Sequence, residues 1–139
     1  MSTPDPALVD TDVASVLYRA RLFRRVVPAG LVDLVADRPL VISAVTLGEA
    51  SYGALSRKWS ARRTTEMLAF YADSFGLIEL GRTVAVDYGR LRAATEALGR
   101  PVPSNDLWIA ASATANGLPL VTLNRRHFEP LTLHGLRLL

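Results

Sequence analysis

Residues 104–123, SNDLWIAASATANGLPLVTL, contain the most apolar helix pattern of the chain, followed at once by a strand pattern. Small and apolar side chains fill positions 107–115, and Gly117 is the residue type that commonly ends a helix. The apolar run 118–123 then predicts a buried strand. A helix that leads directly into a buried strand is typical of α/β proteins.

The same alternation extends outward from this stretch. Further strand patterns occur at ALVD (7–10), PLVIS (39–43), LIEL (77–80) and, near the end, LRLL (136–139). Helix patterns occur at 11–23, 44–59, 62–75 and 84–98, with a short helical turn at RRHF (125–128). In the helix over 62–75, Met67, Leu68, Tyr71 and Phe75 are predicted to share one apolar face. We predict an α/β fold, a three-layer α/β/α sandwich with a mainly parallel central sheet.

Length and composition limit the class of protein. The 139 residues, half of them apolar, predict a single domain over 1–139, with residues 1–6 as a loose N-terminal segment. Cysteine is absent, which excludes disulfides and thiolate metal sites. Fifteen of the sixteen basic residues are arginines, which favours bidentate contact with phosphates or carboxylates. No apolar run is long enough for a membrane span and no signal-peptide pattern is present, so we expect a soluble, cytoplasmic protein.

Three acidic residues occupy equivalent places in the alternation. Asp10 ends the first strand, Glu49 lies in the helix after the second, and Asp106 lies in the first turn of the apolar helix. Because the carboxyl ends of parallel strands gather at one edge of a sheet, we expect the three side chains to share a pocket. Clustered carboxylates repel one another unless a hard divalent cation neutralises them. The pattern therefore predicts Mg²⁺ or Mn²⁺ and the hydrolysis of a phosphate ester.

Each acid also has a structural explanation. Glu49 follows Thr46 at the spacing of a helix capping box, and Asp106 follows Ser104, a good N-cap residue. Asp10 suits a turn between strand and helix, where aspartate is common. Taken one at a time, Glu49 and Asp106 favour the structural role and Asp10 favours neither, so the functional prediction depends on their joint occurrence.

Four sequence blocks support that joint interpretation. They are LVDTDVASVL, ISAVTLGEASYGA, NDLWIAASATANGLPLVT and TLNRRHF, and in this order and spacing the chain resembles PIN-domain ribonucleases of the VapC toxin type. The resemblance implies that Asp10, Glu49 and Asp106 are the catalytic acids and bind Mg²⁺, for which Mn²⁺ can substitute. It also implies an endoribonuclease that cleaves structured RNA such as transfer or ribosomal RNA.

Two positions depart from the pattern of that family. Asp12 stands where asparagine is common, and Asn124 stands where many members carry a fourth acid. Both are supporting site candidates, and the amide of Asn124 predicts one metal or a weakened second metal position. Arg125 and Arg126 are candidates for contacting RNA phosphate. His127 is more compatible with a surface or hinge position than with proton transfer.

Two other functions compete with the nuclease. DTDVA (10–14) approaches the signature of haloacid-dehalogenase-like phosphatases with Asp10 as nucleophile, although that class also needs a lysine and a late acidic pair. Lys58 is the only lysine, and TLNRRHF supplies no acidic pair. The other alternative is a catalytically inactive PIN-like module that binds RNA or protein, in which Asn124 has replaced an acid.

The resemblance also implies partners. Toxins of this type are inhibited by a small antitoxin protein, whose C-terminal segment crosses a groove near the active site. The amphipathic helices after Asp12 and Arg62 would offer apolar grooves for it. The resemblance further implies a homodimer, and neither it nor the composition implies a membrane partner.

Overall fold

The computed structural model describes residues 4–139 and forms a four-stranded parallel sheet in the order β3-β2-β1-β4. The strands are β1 (Ala7–Val9), β2 (Leu40–Ser43), β3 (Gly76–Ile78) and β4 (Leu120–Val121). The helices are α1 (Thr11–Phe23), α2 (Ala29–Val35), α3 (Ala44–Ser56), α4 (Ala61–Ser74), α5 (Arg82–Ala97), α6 (Ser104–Ala115) and α7 (Arg125–Phe128), followed by a 3₁₀ helix (Glu129–His134). The predicted fold class is confirmed.

Both faces of the sheet are covered, which is why the central strand β1 is apolar at every position and β2 at all but its last residue. On one face, Leu8 and Leu120 pack against α5, α6 and the 3₁₀ helix. On the other face, Val9 and Val121 pack against α1, α3 and α4, around an aromatic group formed by Tyr18, Trp59, Phe70, Tyr71 and Phe75. The central strand β1 is fully buried. Its carboxyl end is therefore held from two sides.

Several element boundaries differ from the prediction. The third strand is Gly76–Ile78 rather than 77–80, because the chain has already left the sheet at Glu79. The predicted strand at 136–139 is wrong: the segment makes one isolated parallel bridge, Leu120 to Leu138. Leu68 is 37% exposed, whereas its neighbour Met67 is buried, so the buried face of α4 is narrower than predicted.

Two elements were not predicted, α2 and the 3₁₀ helix. Helix α2 has seven residues, begins after Pro28 and buries only Leu31, so it carries no amphipathic signal. The 3₁₀ helix has a proline in its first turn, where the missing N–H costs nothing. Residues 4–6 are exposed and outside regular structure, and the remainder of the predicted N-terminal segment lies outside the described residues. Among residues 4–139, no helix is both long and apolar enough to cross a bilayer.

Candidate active site

Asp10 is the buried centre of the candidate site. It follows β1, has only 4% of its surface exposed and is the N-cap of α1. One carboxylate oxygen, Oδ1, accepts the backbone N–H of Val13 at 2.9 Å, and the other, Oδ2, accepts the hydroxyl of Thr122 at 2.5 Å. Thr122 lies just beyond β4, the strand next to β1, so two neighbouring strand ends fix this carboxylate.

The electrostatic environment of Asp10 is unfavourable for its charge. Burial raises the pKa of Asp10 from 3.8 to about 6, against the hydrogen bonds from Thr122 and Val13, which lower it. The negative charges of Asp12 and Asp106 also raise this pKa. No arginine or lysine among residues 4–139 forms an ion pair with Asp10. The site therefore concentrates negative charge that the protein does not neutralise.

Glu49 reaches the same edge of the sheet from α3. Its Oε1 accepts a hydrogen bond of 2.9 Å from the hydroxyl of Thr11, the residue after Asp10, and that hydroxyl lies 2.9 Å from the hydroxyl of Thr46. The capping-box explanation for Glu49 and Thr46 is wrong, because the N-cap of α3 is Ser43 and Thr46 lies inside the helix. Thr46 is fully buried, so its hydroxyl serves this network rather than a helix end.

Asp106 lies in the first turn of α6, with 24% of its side chain exposed. Its N-cap explanation through Ser104 is wrong, since α6 begins after Pro103 and no side chain caps it. Oδ2 of Asp106 lies 3.2 Å from Nδ1 of His127, and the same Nδ1 lies 2.9 Å from Nδ2 of Asn124. The backbone N–H of Asn124 bonds to the Thr122 hydroxyl, which connects this group to Asp10.

The remaining predicted residues lie around this network. Asp12 is exposed in the first turn of α1. Arg125 donates a hydrogen bond of 2.6 Å to the backbone oxygen of Leu139, and Arg126 is exposed. The role of both arginines in RNA binding stays a prediction.

The structure thus brings the predicted acids to one edge of the sheet but not into one cluster. Within residues 4–139, no three Asp, Glu or His side chains are placed closely enough to enclose a metal ion. Asp10 lies close enough to Asp106 for their charges to interact. Glu49 is connected to the residue after Asp10 by its hydrogen bond with Thr11. The contacts of three threonines and of His127 were not predicted from the sequence; the threonines are Thr11, Thr46 and Thr122. The only signals were that Thr122 directly follows β4 and that Thr11 directly follows Asp10.

Comparison with known proteins identifies the family of the chain. The model of the PIN domain family matches residues 7–130, which is most of the chain.

The chain belongs to the PIN-domain family.

Curated relatives and solved structures narrow the type of PIN domain. The chain is 33% identical over 90 residues to the tRNA(fMet)-specific endonuclease VapC of Shigella flexneri, covering 65% of this chain and 67% of the relative. It is 22% identical to Ribonuclease VapC1 of Haemophilus influenzae strain R2866, covering 90% and 91%. VapBC2 from Rickettsia felis, solved bound to a promoter DNA fragment, shares the fold with a TM-score of 0.77, 24% identity and coverage of 96% and 97%.

This PIN domain is accordingly a nuclease, a hydrolase of the VapC ribonuclease type. The prediction of family and enzyme class is confirmed. The phosphatase alternative is set aside because the matched family is a nuclease family. In addition, Asp12, the second acid of the phosphatase pattern, is exposed and affects Asp10 only through its charge.

Proposed function

We propose that this PIN domain is a metal-dependent endoribonuclease that cleaves phosphodiester bonds in structured RNA, and that it acts as the toxin of a toxin–antitoxin pair. Asp10, Glu49 and Asp106 would bind Mg²⁺, with Mn²⁺ as a substitute. The observation that carries the proposal is the buried, uncompensated carboxylate of Asp10, whose pKa burial raises to about 6 beside the negatively charged Asp12 and Asp106.

The donor atoms suit a hard divalent cation. Carboxylate, amide and hydroxyl oxygens are the ligands that Mg²⁺ prefers. Each oxygen of Asp10 accepts one hydrogen bond and keeps a further lone pair for a cation. A cation at this edge would offset the repulsion between Asp10 and Asp106.

Some residues of the site would bind the metal, and others orient the side chains that bind it. A bound Mg²⁺ supplies activation of water and stabilisation of the charge that develops on the phosphate. Val13 and Thr122 fix the carboxylate plane of Asp10, so that it need not reorganise when the reaction occurs. Thr11 orients Glu49 in the same way and ties α3 to the start of α1.

The curated relatives and the charge of the chain support a proposal for the substrate class. Two of the relatives named tRNA(fMet)-specific endonuclease, from Shigella flexneri and Salmonella typhimurium, are 33% and 31% identical to this chain over 90 residues. The chain carries fifteen arginines, the residue type best suited to bind phosphates in two places at once. We propose transfer RNA or ribosomal RNA as the substrate, with Arg125 and Arg126 beside the site as contacts to the RNA backbone.

Cleavage of total bacterial RNA by the purified chain tests this function. Discrete fragments are expected with Mg²⁺ or Mn²⁺ and none with EDTA, and Asp106→Asn should reduce the rate at least a hundredfold, since it removes a metal ligand. The matched control is Asp33→Asn, an exposed acid on α2 that forms no ion pair among residues 4–139. A folded wild-type chain that cleaves nothing with either metal would favour the inactive binding module instead.

The antitoxin would occupy the groove between α1 and α4. This groove has a volume of about 350 Å³ and is lined by Tyr18, Arg21, Leu22, Glu66, Ala69, Phe70 and Asp73. Of these lining residues, Leu22 is 43% exposed. An amphipathic segment with apolar anchors and a charged rim matches such a surface.

A charge substitution tests the groove. Leu22→Glu should weaken antitoxin binding at least tenfold, measured by calorimetry, without changing the rate of RNA cleavage, because the residue lines the groove and is 43% exposed. Val86→Glu is the control, since Val86 is 69% exposed on α5. Equal binding by both variants and the wild type would place the antitoxin elsewhere.

We further propose that the chain forms a homodimer through α3 and α4. Tyr52 and Leu55 on α3 are each 71% exposed, and a mostly apolar groove of about 470 Å³ lies nearby between α3, α4 and β3. Exposed apolar side chains next to such a groove are typical of an interface. Light scattering should give twice the monomer mass for the wild type and the monomer mass for a Tyr52→Glu, Leu55→Glu double variant; a monomeric wild type contradicts the proposal.

A further inference from the structure

A second cleft, separate from the acidic site, lies between α5 and the start of α6. It has a volume of about 200 Å³. Tyr88, Arg92 and Glu96 line it from α5, where a spacing of four residues places them on one face of the helix. Ser104, the first residue of α6, lines its other side. The cleft therefore lies beside the first turn of the helix that carries Asp106.

Two stacked aromatic rings form one wall of this cleft. The rings of Tyr88 and Trp108 have centroids 3.9 Å apart and planes that differ by only 14°. Both side chains are partly buried and pack against the core between α5 and α6. Trp108 thus holds the ring of Tyr88 in place from one side, and the cleft opens along the rest of that ring. A planar ligand could stack there without first having to order the tyrosine.

Polar groups surround the hydroxyl end of the same ring. The hydroxyl of Tyr88 lies 3.2 Å from Oγ of Ser104 and accepts a hydrogen bond of 3.2 Å from Nη1 of Arg92. Nε of Arg92 donates to Oε1 of Glu96 at 3.0 Å. Within residues 4–139, Nη2 of Arg92 and Oε2 of Glu96 form no hydrogen bond, and more than half of each side chain is exposed. A donor and an acceptor are therefore available to a ligand beside the ring.

This combination matches the chemistry of a nucleobase. A base has flat faces that stack on aromatic rings and an edge that both donates and accepts hydrogen bonds. The apolar part of the cleft is completed by Val102 and Leu107, which are buried. A purely apolar ligand, such as an aliphatic side chain, would leave the free groups of Arg92 and Glu96 unused. The volume has room for one base, so the base must be unpaired.

We infer that the cleft between α5 and α6 binds one unpaired nucleobase of the RNA, stacked on Tyr88 and hydrogen-bonded at its edge by Arg92 and Glu96. The inference rests on the proposed ribonuclease function and specifies a feature of its substrate. Ser104 and Asp106 lie on opposite sides of the first turn of α6, about 10 Å apart across the helix. The bound base would therefore belong to a nucleotide close to the one that is cleaved.

Nuclear magnetic resonance of the ¹⁵N-labelled chain in EDTA tests the cleft without any need for metal or cleavage. The probes are adenosine 5′-monophosphate and ribose 5-phosphate, which carries a phosphate but no base. Adenosine monophosphate should shift the amide signals of Tyr88, Arg92 and Ser104 in a saturable way. Ribose 5-phosphate should bind at least fivefold more weakly, because stacking of a base on an aromatic ring changes affinity by about 5- to 150-fold. Equal shifts with both probes, shifts confined to other residues, or no shift at all overturn the inference.

Variants of the aromatic wall assign the binding to the ring. Tyr88→Leu should weaken the binding of adenosine monophosphate at least fivefold, whereas Tyr88→Phe, which keeps the ring, should stay within about twofold of the wild type. Phe23→Leu is the matched control, since Phe23 is a half-exposed aromatic residue on α1. Unchanged binding in Tyr88→Leu, or equal losses in the leucine and phenylalanine variants of Tyr88, contradicts stacking on this ring.

Cleavage assays separate this inference from the proposed function. In a chain that cleaves RNA, Tyr88→Leu should lower kcat/KM at least fivefold, and Phe23→Leu should leave it unchanged. Cleavage by a wild type that does not distinguish adenosine monophosphate from ribose 5-phosphate means that the inference fails and the nuclease proposal stands. Binding that depends on the base, in a chain that cleaves no RNA, means that the base site stands and the proposed function fails.

Discussion

Asp10 and Asp87 make the same local contact in two regions of the molecule, with opposite electrostatic results. Each accepts a hydrogen bond of 2.5 Å from a threonine, Thr122 for Asp10 and Thr114 for Asp87. Asp10 lies at the carboxyl edge of the sheet, and Asp87 joins α5 to α6. Burial and two neighbouring acids raise the pKa of Asp10 to about 6.

At Asp87 the effects that lower the pKa outweigh burial, which raises it. Partial burial raises its pKa, but hydrogen bonds from Thr114 and Arg90 and the positive charge of Arg90 outweigh it and lower the pKa. Arg90 also donates a hydrogen bond to the backbone oxygen of His134, so it fastens the 3₁₀ helix to α5. The difference teaches that the threonine contact alone does not mark a functional acid. What distinguishes Asp10 is that its contact combines with nearly complete burial and with the lack of an arginine partner among the described residues.

Removing each charge in turn should produce the largest contrast in catalysis. Asp10→Asn should lower the rate of RNA cleavage by at least a hundredfold, because it removes a proposed metal ligand. Asp87→Asn should change the rate by less than about threefold when measured at a temperature where both proteins are folded. Comparable losses in the two variants would contradict the division into a functional and a structural acid.

The same two variants should shift stability in opposite directions. At pH 8 without metal, Asp10→Asn should raise the free energy of unfolding by about 2 kcal/mol, because it removes a buried charge that has no partner. Asp87→Asn should lower it by about 1–3 kcal/mol, because Arg90 loses its ionic partner. Urea unfolding measures both. A destabilised Asp10→Asn would mean that the carboxylate is compensated after all.

Asp10 and Asp87 should also make the stability of the folded chain depend on pH in opposite directions. Without metal, the folded chain keeps a proton on Asp10 up to about pH 6, whereas the unfolded chain releases it near pH 4. The contribution of Asp10 to the free energy of unfolding is therefore fully present below about pH 4, and it is lost as the pH rises through 6. That of Asp87 is present above its unfolded pKa and is lost as the pH falls through its lowered folded value.

Thermal unfolding in EDTA can isolate the Asp10 contribution. Between pH 5 and pH 8 the wild type should lose about 1 kcal/mol relative to Asp10→Asn. Asp87→Asn should follow the wild type over this interval, because Asp87 is ionised throughout it. Parallel curves for all three proteins would show that Asp10 does not titrate in this range.

The smallest effects should come from the threonines. Thr122→Val and Thr114→Val should each cost about 1 kcal/mol of stability, the value of one buried hydrogen bond. Only Thr122→Val should also move the pH midpoint of Asp10 upward, because its hydroxyl lowers that pKa. Nuclear magnetic resonance titration of the Asp10 carboxyl carbon distinguishes the two, and an unchanged midpoint would contradict the role given to Thr122.

The sequence predicted the elements whose signals are local. Apolar runs located β1 and β2, and glycine located the end of α6, where Gly117 has a φ of +63°. Helix α2 and the 3₁₀ helix were missed because neither has an amphipathic repeat. At the site, Asp10 was found because it directly follows a buried strand. The exposed position predicted for His127 is found, but its contact with Asp106 was not predicted, because that contact bridges 21 positions and leaves no trace in spacing.

The contact between Thr122 and Asp10 joins positions 112 residues apart. During synthesis the chain emerges from its amino end, so Asp10 leaves the ribosome long before the residue that orients it. Pairing of β1 with β4 must also wait for nearly the whole polypeptide, since contacts of long sequence separation form late. A nascent chain thus carries its central acid before the threonine that orients it and before the strand that pairs beside it.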